Sequence, residues 1–305
     1  QHIPSKDNSA FVFVKPHANV SPACRVLVRY VLASHGVHVI EEGEISAESI
    51  DKEKLIDQHY YAIGSKAVML KPSELDVPAD KFESVFGLSW QSVLDQGLAY
   101  NAMDACTTLG LNSSELDAAW SKAKDNRKLV KLGGGFYCGL IDTVPGKPAI
   151  YVINGFYMSM RSKFVKPGSS IYYFNVEWNS SELSFSDFRN KVLGCTDPTL
   201  APSTSIRGMI LSDWRSLGLR SVPNTGDNGV HASASPFEAL AERMNWLGIS
   251  AKDDSFGRKL LDVGIPEGVI QAWSVDPLVK GKSLFDSLEE LNSSDCVAKS
   301  MVLNN

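Results

Sequence analysis

His231 is the residue in this sequence best placed for covalent chemistry. It stands in N-G-V-H-A-S-A-S-P-F-E-A-L-A-E, residues 228–242, leaving a strand just before a helix start announced by Ser235, Pro236 and Glu238. A neutral imidazole can attack a phosphorus atom. The nearby helix start offers backbone N–H groups and a positive dipole end to an arriving phosphate. Glu242 shares a helix face with Glu238 and can turn back toward the histidine. A carboxylate on one ring nitrogen would fix the tautomer and leave the other nitrogen to attack. The same residues also suit a polar strand end followed by a solvated helix acid, and spacing alone does not separate the two readings.

Other residues could serve the same chemistry. Lys15 closes FVFVK at a strand exit, where a buried ammonium calls for an anion nearby. Phe156 and Met160 lie at i, i+4, a spacing that fits a plain helical core as well as a ligand contact. VKLGGG lacks the helix and Lys-Ser/Thr of a phosphate loop and reads as a hairpin turn. His35 and His38 have no acidic partners nearby, which argues against a metal hydrolase.

The elements that must position these residues alternate in type. A buried strand is expected over 11–15, a helix from Ser21-Pro22 to Gly36, a strand over 37–46, and a helix from Ser46 to about Tyr61 that stops at Gly64. Regularity weakens after that. A helical stretch over 90–109 is followed by a helix with a Ser114/Asp117 capping box, a hairpin in KLVKL-GGG-FYCGLID and a strand over 149–153. Next come a helix over 156–164, an alternating strand over 171–178, a helix from about Ser186 to Gly194, a loop over 196–207, and the helix that Gly248 ends. Residues 251–305 read as a helical appendage. This alternation specifies an α/β or α+β chain.

Bulk composition narrows the function classes. At 305 residues, 44% hydrophobic and 21% charged, the chain can bury a large core. A formal charge of −5 argues against a protein that holds nucleic-acid backbone. Five cysteines without metal-like spacing fit reduced thiols and a cytoplasmic setting. No apolar run is long enough for a membrane span, so no membrane partner is expected.

Asn228, His231, Ala232, Ser233 and Ser235 resemble the N-x-x-H-G-S-D-S active-site signature of nucleoside diphosphate kinases, with Ala232 for Gly and Ala234 for Asp. Further motifs follow in family order. FVFVKPHA resembles F-x-x-x-K-P-[DE]-G, with His17 in place of the acid, and QHY at 58–60 resembles the helix that carries a phosphate-binding tyrosine. NGFYMSMRSKF resembles the second helix of the nucleotide-gripping hairpin. GCTDP at 194–198 resembles G-x-T-[DN]-P, and SIRG at 205–208 resembles the motif of a phosphate arginine. The resemblance covers residues 8–66 and 150–250.

The resemblance implies an α+β fold with a ferredoxin-like βαββαβ core, an antiparallel sheet with helices on one face, and an inserted subdomain. The family-like domain would span 8–250, interrupted at about 67–150, with 251–305 as a C-terminal extension. It implies phosphoryl transfer from a nucleoside triphosphate to a nucleoside diphosphate through phospho-His231, by a ping-pong route. Glu242 and Ser233 would support the histidine. Lys15, Tyr60, Thr196 and Arg207 would contact phosphate, Asn228 the sugar, and Phe156 and Met160 the base. A second phosphate arginine lacks a clean match in FRNKVLG: Lys191 aligns best and Arg189 is the alternative. Mg²⁺ would ride on the nucleotide phosphates. The expected partners are nucleoside di- and triphosphates and further copies of the chain. Two other functions fit the same residues: a nucleotide-binding scaffold with little turnover, and a phosphohistidine carrier to proteins.

Overall fold

The computed structural model describes residues 6–304. The chain divides into two compact units: the described parts of Gln1–Lys52 and Lys166–Asn305 form the first, and Glu53–Val165 the second. The second unit therefore begins and ends outside the expected 67–150 interval. Among the described residues no helix is long and apolar enough to cross a membrane.

The first unit is built on β1 (Asn8–Val14), α1 (Pro22–Ser34), β2 (His38–Ser46), β3 (Ser170–Trp178), α2 (Ile206–Asp213), β4 (Val230–Ala232) and α3 (Pro236–Leu247). Its four strands run in the order β2-β3-β1-β4, each neighbour antiparallel. This mixed α+β arrangement is consistent with a ferredoxin-like sheet.

Period-two alternation along β1 sorts its side chains to two faces. Ala10, Val12 and Val14 pack with Cys24, Val28 and Leu32 of α1, with Phe188 and Val192, and with Ile206 and Ile210 of α2. Phe11 and Phe13 point the other way, where Phe13 meets Trp246 of α3 at 5.4 Å between ring centroids. Helices thus cover both faces, not the single face expected, because both sets of β1 side chains are apolar and both must be buried.

Capping residues start the helices where the sequence places them. The Ser21 side chain accepts from Ala23 N, and Ser235 Oγ accepts from Glu238 N. The helix expected from Ser46 is shorter, ending at Lys52, and Lys54 adopts φ 58° before Leu55–His59 begins. The expected 186–194 helix is a short α-turn, Phe185–Asp187, that continues as a π-helical turn, Phe188–Leu193. Residues 251–304 are no loose appendage: Phe256, Leu260, Ile270, Leu284 and Cys296 share a core with Phe237 and Leu240 of α3. Asn292 completes the join, its side chain accepting from Asn8 Nδ2 at 2.9 Å and from Phe185 N at 2.8 Å.

The second unit carries its own sheet, in the order Ala99–Asn101, Ile150–Ile153, Phe136–Ile141 and Leu129–Gly133. The expected hairpin is its antiparallel pair, Leu129–Gly133 with Phe136–Ile141. The expected 90–109 helix is interrupted, since Gly97 turns with φ 64° and Ala99–Asn101 joins the sheet. The next helix is capped by Asn112 with Glu115, not by Ser114 with Asp117. Within this unit, buried Asp57 accepts from Arg161 Nε and from Tyr157 Oη, both at 2.9 Å.

Candidate functional site

The short strand β4 places His231 opposite Phe13 of β1, on the face that α3 covers. The two rings stack at 4.7 Å and 27°. Glu242, on α3 and 4% exposed, reaches across with Oε1 2.5 Å from His231 Nε2. Its Oε2 accepts from Ser233 Oγ at 2.6 Å, while Ser233 Oγ accepts from Phe11 N at 2.9 Å. The carboxylate is therefore held by the residue two beyond the histidine it orients. A proton on Nε2 satisfies the carboxylate and leaves the lone pair of the neutral ring on Nδ1.

The charges of three cations act on this ring. Burial holds the His231 imidazole well below its usual range of protonation, and the charges of Lys15, Arg189 and Arg207 lower it further. The neutral, nucleophilic form is thus favoured in a positive field suited to phosphate oxygens.

The two arginines also grip the strand. Arg207 lies in the first turn of α2, not in the loop expected, because Ser205 Oγ caps the helix by accepting from Gly208 N at 3.2 Å. Gly208 admits that turn, since a Cβ there would lie 2.1 Å from the Pro202 carbonyl oxygen. Arg207 Nε and Nη2 donate to Val230 O at 3.3 and 3.0 Å, and Nη1 donates to Gly194 O at 2.8 Å. Arg189 Nη1 donates to Ala232 O at 3.0 Å, and its Nη2 lies 3.5 Å from Glu289 Oε1. The carbonyls on either side of His231 are each held by a guanidinium.

Of the two cations that the sequence left open, Arg189 reaches the strand that carries His231 and Lys191 does not. Lys191 turns to solvent, 69% exposed, and pairs with Asp187 at 2.9 Å. In the π-helical turn Phe188 and Val192 are buried, which carries Arg189 toward β4 and leaves Lys191 outside.

Lys15 donates from its backbone N to Gly229 O at 2.9 Å and from Nζ to Gly226 O at 3.3 Å. Asn228, 1% exposed, donates from Nδ2 to the Thr196 carbonyl at 3.0 Å, drawing the 196 loop to the start of β4. Its Oδ1 is buried with no hydrogen-bond partner among the described residues. The Thr196 side chain belongs to an exposed residue. One turn before Glu242, burial and the Glu242 charge raise the Glu238 carboxyl to about 8.

Tyr60, Phe156 and Met160 lie in the second unit, half-buried against its core. Phe156 touches Trp120 and Tyr137 at 5.9 and 5.7 Å, and Tyr60 meets His59 edge-on at 4.6 Å.

Two participants escaped sequence reasoning. Glu289 comes from the C-terminal segment, and no local pattern links it to Arg189. His17 did carry a signal, as the histidine where the resembled motif has an acid. Its Nε2 accepts from Gly229 N at 3.1 Å, and its Nδ1 lies 3.9 Å from Asp227 Oδ1.

No family model matches the chain, and no curated protein does. Among solved structures, a nucleoside diphosphate kinase from Encephalitozoon cuniculi is similar at 14% identity and a TM-score of 0.37, over 79% of this chain and 90% of that one. An NDP kinase from Pyrobaculum aerophilum is similar at 16% identity and a TM-score of 0.35, over 79% and 95%. Likeness at this level leaves the chemistry of the site to be read from its own side chains.

Proposed function

We propose that the chain is a phosphotransferase of the nucleoside diphosphate kinase type, with His231 as the group that is phosphorylated. The observation that carries this reading is the His231 ring tied through Nε2 to Glu242, on a strand whose flanking carbonyls are held by Arg189 and Arg207, with the charges of Lys15, Arg189 and Arg207 favouring its neutral form.

In the first half-reaction the Nδ1 lone pair attacks the γ-phosphorus of a nucleoside triphosphate. The bond from that phosphorus to the β,γ-bridging oxygen breaks, and the nucleoside diphosphate leaves with the electron pair. The ring keeps its Nε2 proton, and Glu242 balances the positive charge that the phosphorylated imidazole carries. In the second half-reaction a terminal oxygen of another nucleoside diphosphate attacks the phosphorus, and the P–N bond returns its electrons to Nδ1. The cations offset charge spread over the transferring oxygens.

Both oxygens of Glu242 are already engaged by His231 and Ser233, so magnesium would enter as the nucleotide complex, held by phosphate and water. The orphaned acceptor of Asn228 supports a contact with a sugar hydroxyl. Tyr60, Phe156 and Met160 are proposed as the residues that meet phosphate and base, and Thr196 as a further phosphate contact. Self-association is proposed as well.

The test is brief exposure to γ-labelled triphosphate. Label that survives alkali, is lost in acid, passes to added nucleoside diphosphate and is absent in His231→Ala is the expected outcome. Nucleotide binding with no transferable label would overturn the assignment in favour of a binding module. Label that leaves only to a protein acceptor would make the chain a phosphohistidine carrier.

A further inference from the structure

Gly229, two residues before His231, is held from both sides by the segment that follows β1. Lys15 N donates to its carbonyl at 2.9 Å, and its own N–H points at His17 Nε2 at 3.1 Å. The position is demanding. Gly229 adopts φ +90°, and a Cβ there would lie 2.8 Å from Ile210 Cδ1 of α2. β4 begins at the next residue and is only three residues long, so the Gly229 peptide sets where His231 enters the sheet.

An N–H can donate to an imidazole nitrogen only while that nitrogen carries a lone pair. His17 must therefore be neutral and protonated on Nδ1, the nitrogen that faces Asp227 Oδ1 at 3.9 Å. The charged groups near this imidazole include Asp227 from the loop before β4, and Lys15, two residues earlier, places its Nζ on Gly226 O at 3.3 Å in the same turn. From α2, the neighbouring contacts are Ile210 against Gly229 and Arg207 on Val230 O.

We infer that His17 is a positioning residue that seats β4, and with it His231, only while its ring is unprotonated. A second proton would place an N–H on Nε2 facing the Gly229 N–H. The bond would be lost and the 226–229 turn released, with Asp227 drawn to the new cation. An aspartate or glutamate at this position would accept from the same N–H without titrating near neutral pH. The histidine thus makes the seating of the nucleophile sensitive to pH, because imidazole changes charge in that range.

The inference rests on the phosphotransferase reading for its kinetic consequence, but its structural core can be tested without turnover. The ¹⁵N shifts of the His17 ring and the amide shift and exchange rate of Gly229 are followed against pH in the full chain. The expected result is that both titrate together, with the amide protected only on the alkaline side, and that His17→Gln, which keeps an uncharged acceptor, abolishes the transition. A Gly229 amide that ignores the His17 titration would overturn the inference whatever the activity proves to be.

Where phosphoryl transfer is present, the acidic limb of kcat/KM should flatten in His17→Gln. His17→Phe should lose about 10-fold to 100-fold at every pH through misplacement of the nucleophile. An acidic limb identical in parent and His17→Gln would also overturn it. Absence of transfer in the parent would bear on the phosphotransferase reading alone.

Discussion

Arg207 donates two hydrogen bonds to the carbonyl of Val230, the residue immediately before His231, while its remaining nitrogen holds Gly194 O. One guanidinium, 6% exposed, thus ties α2 to both β4 and the 194 loop. Lysine has the charge but not the planar fork. Arg207→Lys is expected to lose about 1–3 kcal/mol of stability through unsatisfied carbonyls, and denaturant unfolding measures it. Its phosphoryl transfer should fall further than the stability loss alone explains.

Arg189 and Lys191 provide an internal contrast. Arg189→Ala is expected to lower the rate of label transfer by about 10²–10³-fold, the scale for removal of one donor from a charge-stabilising site. Lys191→Ala should leave the rate nearly unchanged, because its exposed pairing with Asp187 contributes little. Equal losses in single-turnover assays would contradict the placement of Arg189 at the site.

The lowered protonation of His231 has a definite sign. A group that binds protons less readily when folded adds stability above its unfolded value of 6.5, and that contribution is lost as pH falls from 6.5 toward the folded value. Thermal midpoints measured down through this window should therefore fall more steeply for the parent than for His231→Gln. The corresponding acid limb of kcat/KM due to His231 itself should lie well below pH 6.5.

Glu238 runs the opposite way. Its carboxyl is raised from 4.5 to about 8, so its contribution is fully present below 4.5 and is lost as pH rises through about 8. Glu238→Gln keeps the shape and removes the titration. The difference in thermal midpoint between variant and parent should shift in the variant's favour from about pH 5 to about pH 9.

Gly229→Ala combines a left-handed backbone with a close approach to Ile210. The expected loss is about 1–3 kcal/mol, read by denaturant unfolding. Its labelling by γ-labelled triphosphate should be slower, because β4 is displaced. Ile210→Ala in the same background should recover part of the labelling rate by opening space for the added methyl.

Much of this was legible because it is local. Ser21-Pro22 and Ser235-Pro236 start helices through bonds made within a turn, and alternation in β3 follows directly from its pleat. For Glu242, helix periodicity left two readings open, a carboxylate turned to His231 or a solvated acid, and it is the packing of α3 on β1 that puts its Oε1 2.5 Å from His231 Nε2. Misreadings arose where two local solutions compete. Asn112-x-x-Glu115 and Ser114-x-x-Asp117 both fit a capping box, and burial of Leu116, Ala119 and Trp120 decides for the first. Lys54 has no residue-type signature for its positive φ. Glu289, and the packing of 251–304 onto α3, depend on tertiary contacts that no sequence window contains.

The last residue of β2 and the first of β3, Ser46 and Ser170, are partners in the ladder, and Ala47 N donates to Ser169 O at 2.9 Å just beyond them. The chain leaves the first unit and re-enters it through one hydrogen-bonded doorway. Everything between Glu53 and Val165 is, for that sheet, a single long loop whose closure the ladder already enforces. The register of β2 against β3 is set by the ladder's own pairing, not by the length of the segment between them. A version of the protein with Lys52 and Lys166 joined by a short glycine-rich turn should therefore retain the first unit's sheet, and with it the seat of His231.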